Sequence, residues 1–559
     1  MSKGLAFSLF FLSLIQTSFA VDWSEGARIS LERPRANLFE LTEEEWKKQT
    51  QAGMLHALHY PVKVTGLLVP YEPLVNFLEA DQRNPLRRLL SRLASSQVGF
   101  STVDEMYDWL GLNDYNDESA TGIYQIPYLN GVKPNYPMGA TMMETAHGTG
   151  LTFSCATCHS SSLFGVSVFG LTNKRPRANE FFHLAKKYIP NVPSRFFQAA
   201  TGSTELERKM FERTKKNLGP VHAKKPETLG LDTSLAQVAM SLARRSPDKD
   251  ATRDPYYQRY PRANELEKHI ADSKPMVWWN LKYKNRWLAD GSIVSGNPIH
   301  TNFLWNEIGR GTDLVELEKW LGENQETIDR LTIAAFATKA PLYSDFFDVR
   351  ELPLESAKRG QEIFRVSCKE CHGDYQKGWE SSRAHELTAV ELFTTTKVTY
   401  HEQTPVKNVG TDPGRYQGMK YFSDRLNTLR ISEALGVRVV PQEGYVPPPL
   451  EGIWARYPYF HNNSIPNLCA LMTPPDQRPK VFYQGPAVNP ETDYDQECIG
   501  YPVGDAIPAE WKKEAGARFE TNRVGLSNQG HYKMFLDEEG NELYSPAQKR
   551  DLLEFLRTL

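Results

Sequence analysis

Two short units govern what this chain can become. Cys155, Cys158 and His159 form a Cys-x-x-Cys-His unit within LTFSCATCHSSSLFG, and Cys368, Cys371 and His372 repeat it within RGQEIFRVSCKECHGD, 213 positions further on. Only two other cysteines, Cys469 and Cys498, occur in the 559 residues. Cysteines at this spacing serve a redox dithiol, half of a zinc site or a covalently attached haem. Zinc needs a closed set of four ligands and gives no reason for a histidine after the second cysteine both times. A dithiol oxidoreductase sets its pair between a strand and a helix. The stretch before Cys368, ESAKRGQEIFRV, instead reads as a helix with Ile363, Phe364 and Val366 near one face. Haem accounts for the whole unit, with thioethers from both cysteines to its vinyl groups and the adjacent imidazole under the iron. The expected cofactors are therefore two covalently bound haem c, with His159 and His372 as iron ligands. No motif supports calcium.

The expected fold is mainly α: two c-type cytochrome domains, an atypical N-terminal one and a class I-like C-terminal one, with long loops and few short strands. A terminal helix in SPAQKRDLLEFLRTL, started by Ser545 and Pro546, offers Leu552, Leu553, Phe555 and Leu556 to a core. Upstream of Cys155 the glycine-rich MGATMMETAHGTGLTFS lets no long helix lead into the first unit. TEEEWKKQTQAGMLHALHYP, ELERKMFERTKKNLG and DLVELEKWLGENQETIDRLTIAAFATKA read as helical. Proline punctuation in TKAPLYSDFFDVRELPLE sets the main boundary, giving residues 21–339 for the first haem region and 340–559 for the second.

Residues 1–20, MSKGLAFSLFFLSLIQTSFA, have the charged start, apolar stretch and small-residue end of a secretory signal peptide. A periplasmic or secreted protein follows, without a membrane partner once the leader is removed. In an oxidising compartment Cys469 and Cys498 are expected to join as a disulfide. The 65 basic and 68 acidic residues leave a formal charge of −3, which argues against a nucleic-acid partner.

What fills the second axial position of each iron decides the chemistry. His461, in PPPLEGIWARYPYFHNNSIPNLCALM, is the leading candidate over the haem at His372, with His531 and Met534 of GLSNQGHYKMF as competitors. For the haem at His159, Met138, Met142, Met143, His147 and His183 lie nearby in the chain. The aromatic cluster Trp278, Trp279, Tyr283 and Trp287, with Phe303 and Trp305 downstream, suits either a core or a route for electrons or substrate. Lys282, Lys284 and Arg286 can offset haem propionates.

Two Cys-x-x-Cys-His units together with GIWARYPYFHNNSIPNL resemble the di-haem cytochrome c peroxidase superfamily, most closely its rubber oxygenase branch. PMVWWNLKYKNRWLADGS and GLSNQGHYKMF also look like segments of that branch, so the resemblance runs from about Pro127 to the end. Residues 21–126 have no counterpart, and HNNS stands where the branch has HNGS. The resemblance implies His461 as distal ligand of the C-terminal haem and a free position on the N-terminal haem. It implies a redox enzyme that activates peroxide or dioxygen at the haem of His159, with electron relay by the other. Trp278, Trp279 and Phe303 are then candidates near the reacting iron. A small oxidant or an organic substrate, and a redox protein, are the expected partners; a pure electron-transfer cytochrome is the alternative. The superfamily spans several substrates, so the resemblance carries none over.

Overall fold

The computed structural model describes residues 21–559 apart from 32–34, 80–84, 232–234, 263–264, 269–270 and 515; the expected leader lies outside the described residues. The fold is mixed rather than mainly α, 44% helical and 11% strand, with short strands and no barrel. The extra strand content has a local cause. Glycines at 139, 148, 165 and 170, all with positive φ, turn the chain around the first Cys-x-x-Cys-His unit into hairpins. Strand Ala140–Thr145 pairs antiparallel with Gly148–Phe153, whose other edge takes Val69–Pro70. Cys155 follows at once, one helical turn spans Ala156–His159, and a second hairpin pairs Ser160–Leu163 with Val166–Phe169. The first unit is thus held between hairpins, with no helix leading into it.

The second unit is helical on its approach, as its periodicity predicts. Helix Leu354–Ser367 ends at Cys368, and a single turn, Lys369–His372, carries the rest. Helix Pro546–Arg557 begins with a capping box between Ser545 and Gln548 and packs on Leu354–Ser367. Their backbones meet at Gly360, where an added Cβ would lie 1.9 Å from the Asp551 carbonyl oxygen. Phe364 and Phe555 touch beside that point, with ring centres 5.2 Å apart. Arg359 donates to both carboxylate oxygens of Asp551 at 2.8 Å, tying the same two helices at their rim.

Helix Glu43–Leu58 lies along Gln325–Ala337, and Gly53 allows the approach, because a Cβ there would meet the Arg330 carbonyl oxygen at 1.9 Å. The third helical stretch breaks at Asn324 into Leu314–Glu323 and Gln325–Ala337. Two large apolar cores result, and each draws on both sides of residue 340. One reaches from Ala57 to Val439; the other gathers Leu163, Val168, Val277 and Trp279 with the C-terminal helices. Cys469 and Cys498 form a disulfide, as expected. Among the described residues no helix is long and apolar enough to cross a membrane.

Candidate haem sites

Each Cys-x-x-Cys-His unit opens onto its own cavity. Cys155, Cys158 and His159 line one of about 230 Å³; Cys368, Cys371 and His372 line another of about 260 Å³. Lys274, Pro275, Met276 and Ala289 face both, so a thin wall of chain divides them. The four thiols do not converge, and among the described residues no three His, Cys, Asp or Glu gather for a metal ion, which removes the shared zinc arrangement. Burial pushes Cys155 up to about 11 and Cys368 to about 12. A dithiol oxidoreductase needs the opposite shift.

Three features of the cavities fit haem. The first is the tautomer of His372. Its Nδ1 lies 2.8 Å from the Pro448 carbonyl oxygen, which can only accept, so Nδ1 carries the proton and Nε2 keeps its lone pair. Burial lowers its pKa to about 4 and keeps the ring neutral. Burial likewise holds His159 at about 4, and its ring rests on Trp278 with centres 5.1 Å apart.

The second feature is an apolar slot. Phe364, Leu552 and Leu556 from the crossed helices, with Ile453, Leu468 and Phe535, wall the second cavity.

The third is buried positive charge at the dividing wall. Lys274, Lys284 and Arg456 all face the second cavity. Burial lowers Lys284 to about 7, Arg456 to about 10 and Lys274 well below its ordinary value, and Arg456 depresses both lysines further. Close by, Lys174 is buried over the Tyr457 ring at 4.4 Å, its Nζ without a hydrogen-bond partner. Lys274 Nζ donates to the Arg456 and Pro458 carbonyl oxygens and Arg456 to that of Pro449, and haem propionates would offset the buried charge that these neutral acceptors leave. Of the residues expected for that task, Lys284 faces the cavity, whereas Lys282 pairs with Glu451 at 3.3 Å and Arg286 bonds Gln442.

The second cavity holds three imidazoles. His461 lies flat on Tyr445, ring centres 3.8 Å apart and planes 18° from parallel, and its carbonyl oxygen accepts from the Lys274 amide. His531 faces His372 with ring centres 6.2 Å apart. Its φ of 54° is a left-handed backbone for a non-glycine residue, and burial lowers its pKa to about 3. Met534 lines the same cavity.

The first cavity is different. Among the described residues lining it, His159 is the only histidine, and Phe303, Trp287, Trp305, Asn302 and Asn306 form much of its wall. Met138, Met142, Met143, His147 and His183 do not line it: Met138 is core, His147 is exposed at a turn, and His183 faces the Ala223 carbonyl. Trp278 and Phe303 reach the cavity as expected; Trp279 does not, being buried in the second core with its indole N–H on the Glu451 carbonyl.

One group had no sequence signal. Arg310, 7% exposed, donates to the Phe153 carbonyl at 2.8 Å and to Thr152 Oγ1, so it pins the strand that enters Cys155. Glu307, fully buried, holds Arg310 at 3.5 Å and accepts from Tyr60 and Thr65. A helix reading EIGRG shows nothing of this, because its partners come from residues 60–65 and 152–153.

Sequence comparison bears on one stretch of the second cavity. Residues 444–483, which include His461 and the Tyr445 beneath it, match a family described as RoxA-like, cytochrome c-like. That match supports a RoxA-like cytochrome relationship, and a cytochrome c-like domain implies covalently bound haem c. Two proteins of Sinorhizobium fredii (strain NBRC 101917 / NGR234), both described as uncharacterized, are similar as well. y4iJ is 28% identical over 248 residues, covering 36% of this chain and 38% of its own length. y4iM is 28% identical over 301 residues, covering 50% and 63%. The chain thus spans less than two thirds of either relative.

Proposed function

We propose that this chain is an exported di-haem c-type cytochrome acting as a redox enzyme, with one haem closed by protein ligands and the other open to a small oxidant. The observation that carries the reading is the asymmetry between the cavities. His531 faces His372 across one, and among the described residues no second imidazole lines the other with His159. Two imidazoles bound across one iron, each through a metal–nitrogen bond of about 2 Å, stand about 6 Å apart centre to centre. That separation supports His531 in the distal role that the resemblance gives to His461, with His461 in the wall, stacked on Tyr445 and tied through its backbone to Lys274.

Bound haem supplies an iron that exchanges electrons or binds peroxide or dioxygen at an open position. The chain's own residues do the rest. Cys155 and Cys158 would attach the first group, Trp278 packs on the His159 ring, and the aromatic wall that includes Phe303 would limit water around it. Asn302 and Asn306 are the neutral polar groups of that wall. Lys274, Lys284 and Arg456, which line the second cavity, would offset the propionate charge of the second group. The Lys274 to Met276 segment touches both cavities, which supports relay between the two groups. The Cys469–Cys498 disulfide supports an oxidising compartment and so export.

Denaturation in acidified organic solvent tests the count, since thioethers survive it and axial bonds do not. Wild-type protein should keep two haems per chain, and Cys155→Ala with Cys158→Ala should keep one. Carbon monoxide should bind one reduced haem of the native protein. Loss of both haems to solvent, or no carbon monoxide binding at all, sinks the reading.

A further inference from the structure

In helix Pro85–Val98, PLRRLLSRLASSQV, the leucines whose side chains are described face outward. Leu89 and Leu93, one turn apart, are 55% and 56% exposed. Ser91, on the other side, is 7% exposed and donates to the Leu78 carbonyl at 3.0 Å. Ser95 Oγ and Arg88 Nε are buried on that side too, without hydrogen-bond partners. An amphipathic helix normally buries its leucines and hydrates its serines.

The neighbouring helix Ser194–Thr201, SRFFQAAT, packs against this one and repeats the pattern. Phe197 stacks inward on Phe211, ring centres 3.8 Å apart, while Phe196 stands 48% exposed beside exposed Arg195. The two helices carry four arginines and no Asp or Glu, in a chain whose 65 basic and 68 acidic residues nearly balance. Of these arginines, Arg92 and Arg195 are exposed, next in sequence to the exposed Leu93 and Phe196.

We propose that this pair of helices docks on an anionic phospholipid surface. Leu89, Leu93 and Phe196 enter the boundary between headgroups and acyl chains, and Arg92 and Arg195 lay their stems along it with guanidinium groups on the phosphates. A second copy of the chain is the poorer occupant. A two-fold contact sets the patch on itself, and neither helix has a carboxylate to meet the arginines. The whole-chain charge of −3, which suggests no membrane partner, averages this patch away.

The test is flotation of the full-length, haem-loaded protein with vesicles of phosphatidylglycerol and phosphatidylcholine, or of phosphatidylcholine alone, at low and high salt. Two variants accompany it: Leu89→Ser with Leu93→Ser and Phe196→Ser, and Arg92→Glu with Arg195→Glu. All three substituted apolar side chains are exposed, so folding should persist, and unchanged haem spectra and melting would confirm it. The expected result is salt-sensitive binding to the anionic vesicles only, reduced roughly tenfold or more by either variant. Absence of wild-type binding at low salt overturns the proposal, as does binding that both variants leave intact. It is equally overturned by a concentration-dependent dimer that the same substitutions dissociate in the absence of lipid.

Discussion

The rings of His372 and His531 face each other across the second cavity, 6.2 Å apart and inclined by 54°, although 158 residues separate them in the chain. His461, only 89 positions from His372 and set in the stretch matched by the RoxA-like family, lies instead on Tyr445. His531→Gly should turn the second haem from low-spin to high-spin and let it bind carbon monoxide. His461→Gly should leave that spin state alone. Optical and paramagnetic resonance spectra of the two variants decide it, and the reverse pattern restores His461 as the ligand.

Gly360 sets the closeness of the helices that flank the second haem unit. With the Asp551 carbonyl oxygen 1.9 Å from where a Cβ would sit, Gly360→Ala must push the helices apart. A loss of about 1 to 3 kcal/mol in denaturant unfolding is expected, together with weaker haem incorporation at Cys368 and Cys371. Unchanged stability would show that the crossing is looser than described.

Asp551 makes the same crossing pH-dependent. Its hydrogen bond from Arg359, and then that from Ser356, holds the carboxyl below its ordinary value of 3.8. The stabilisation is present above that value and lost as pH falls through the lower folded value. Arg359 is 62% exposed, so solvent screens the pair and its contribution is modest. Asp551→Asn should unfold more readily than wild type at pH 7, with the difference shrinking below about pH 4. A difference that grows on acidification would contradict the pairing.

How much of this was legible in the sequence follows from which contacts are local. Cys-x-x-Cys-His needs five consecutive residues, so both attachment units are readable, as are the capped helix at Ser545 and the helix before Cys368. The Cys469–Cys498 link was readable because six cysteines less four leave one pair. The choice among His461, His531 and Met534 was not, since all three reach one cavity and only the packing of Tyr445 and Phe460 separates them. Phe460 touches His531 at 5.8 Å while its neighbour His461 turns away. Arg310 and Glu307 escaped notice for the same reason, their partners being distant in sequence. The glycines before Cys155 showed only that no long helix leads into it; the hairpins there were not legible, because β-pairing depends on partners that periodicity does not name.

The disulfide closes a loop between residues 469 and 498 beside the stretch that carries His461. Chain-entropy reasoning gives it roughly 3 to 4 kcal/mol. Cys469→Ser with Cys498→Ser should lower the unfolding free energy by about that amount, and peptide mapping of unreduced wild-type protein should recover the two cysteines in one linked pair. Two alkylatable thiols there would contradict the link.

The most direct measurement is a crystal structure of the haem-loaded protein that resolves the axial ligands of both irons. The account predicts His372 and His531 on opposite sides of one iron, and His159 alone among protein side chains on the other. An iron held by His461 or Met534 opposite His372, or a side chain closing the far side of the haem at His159, would contradict it.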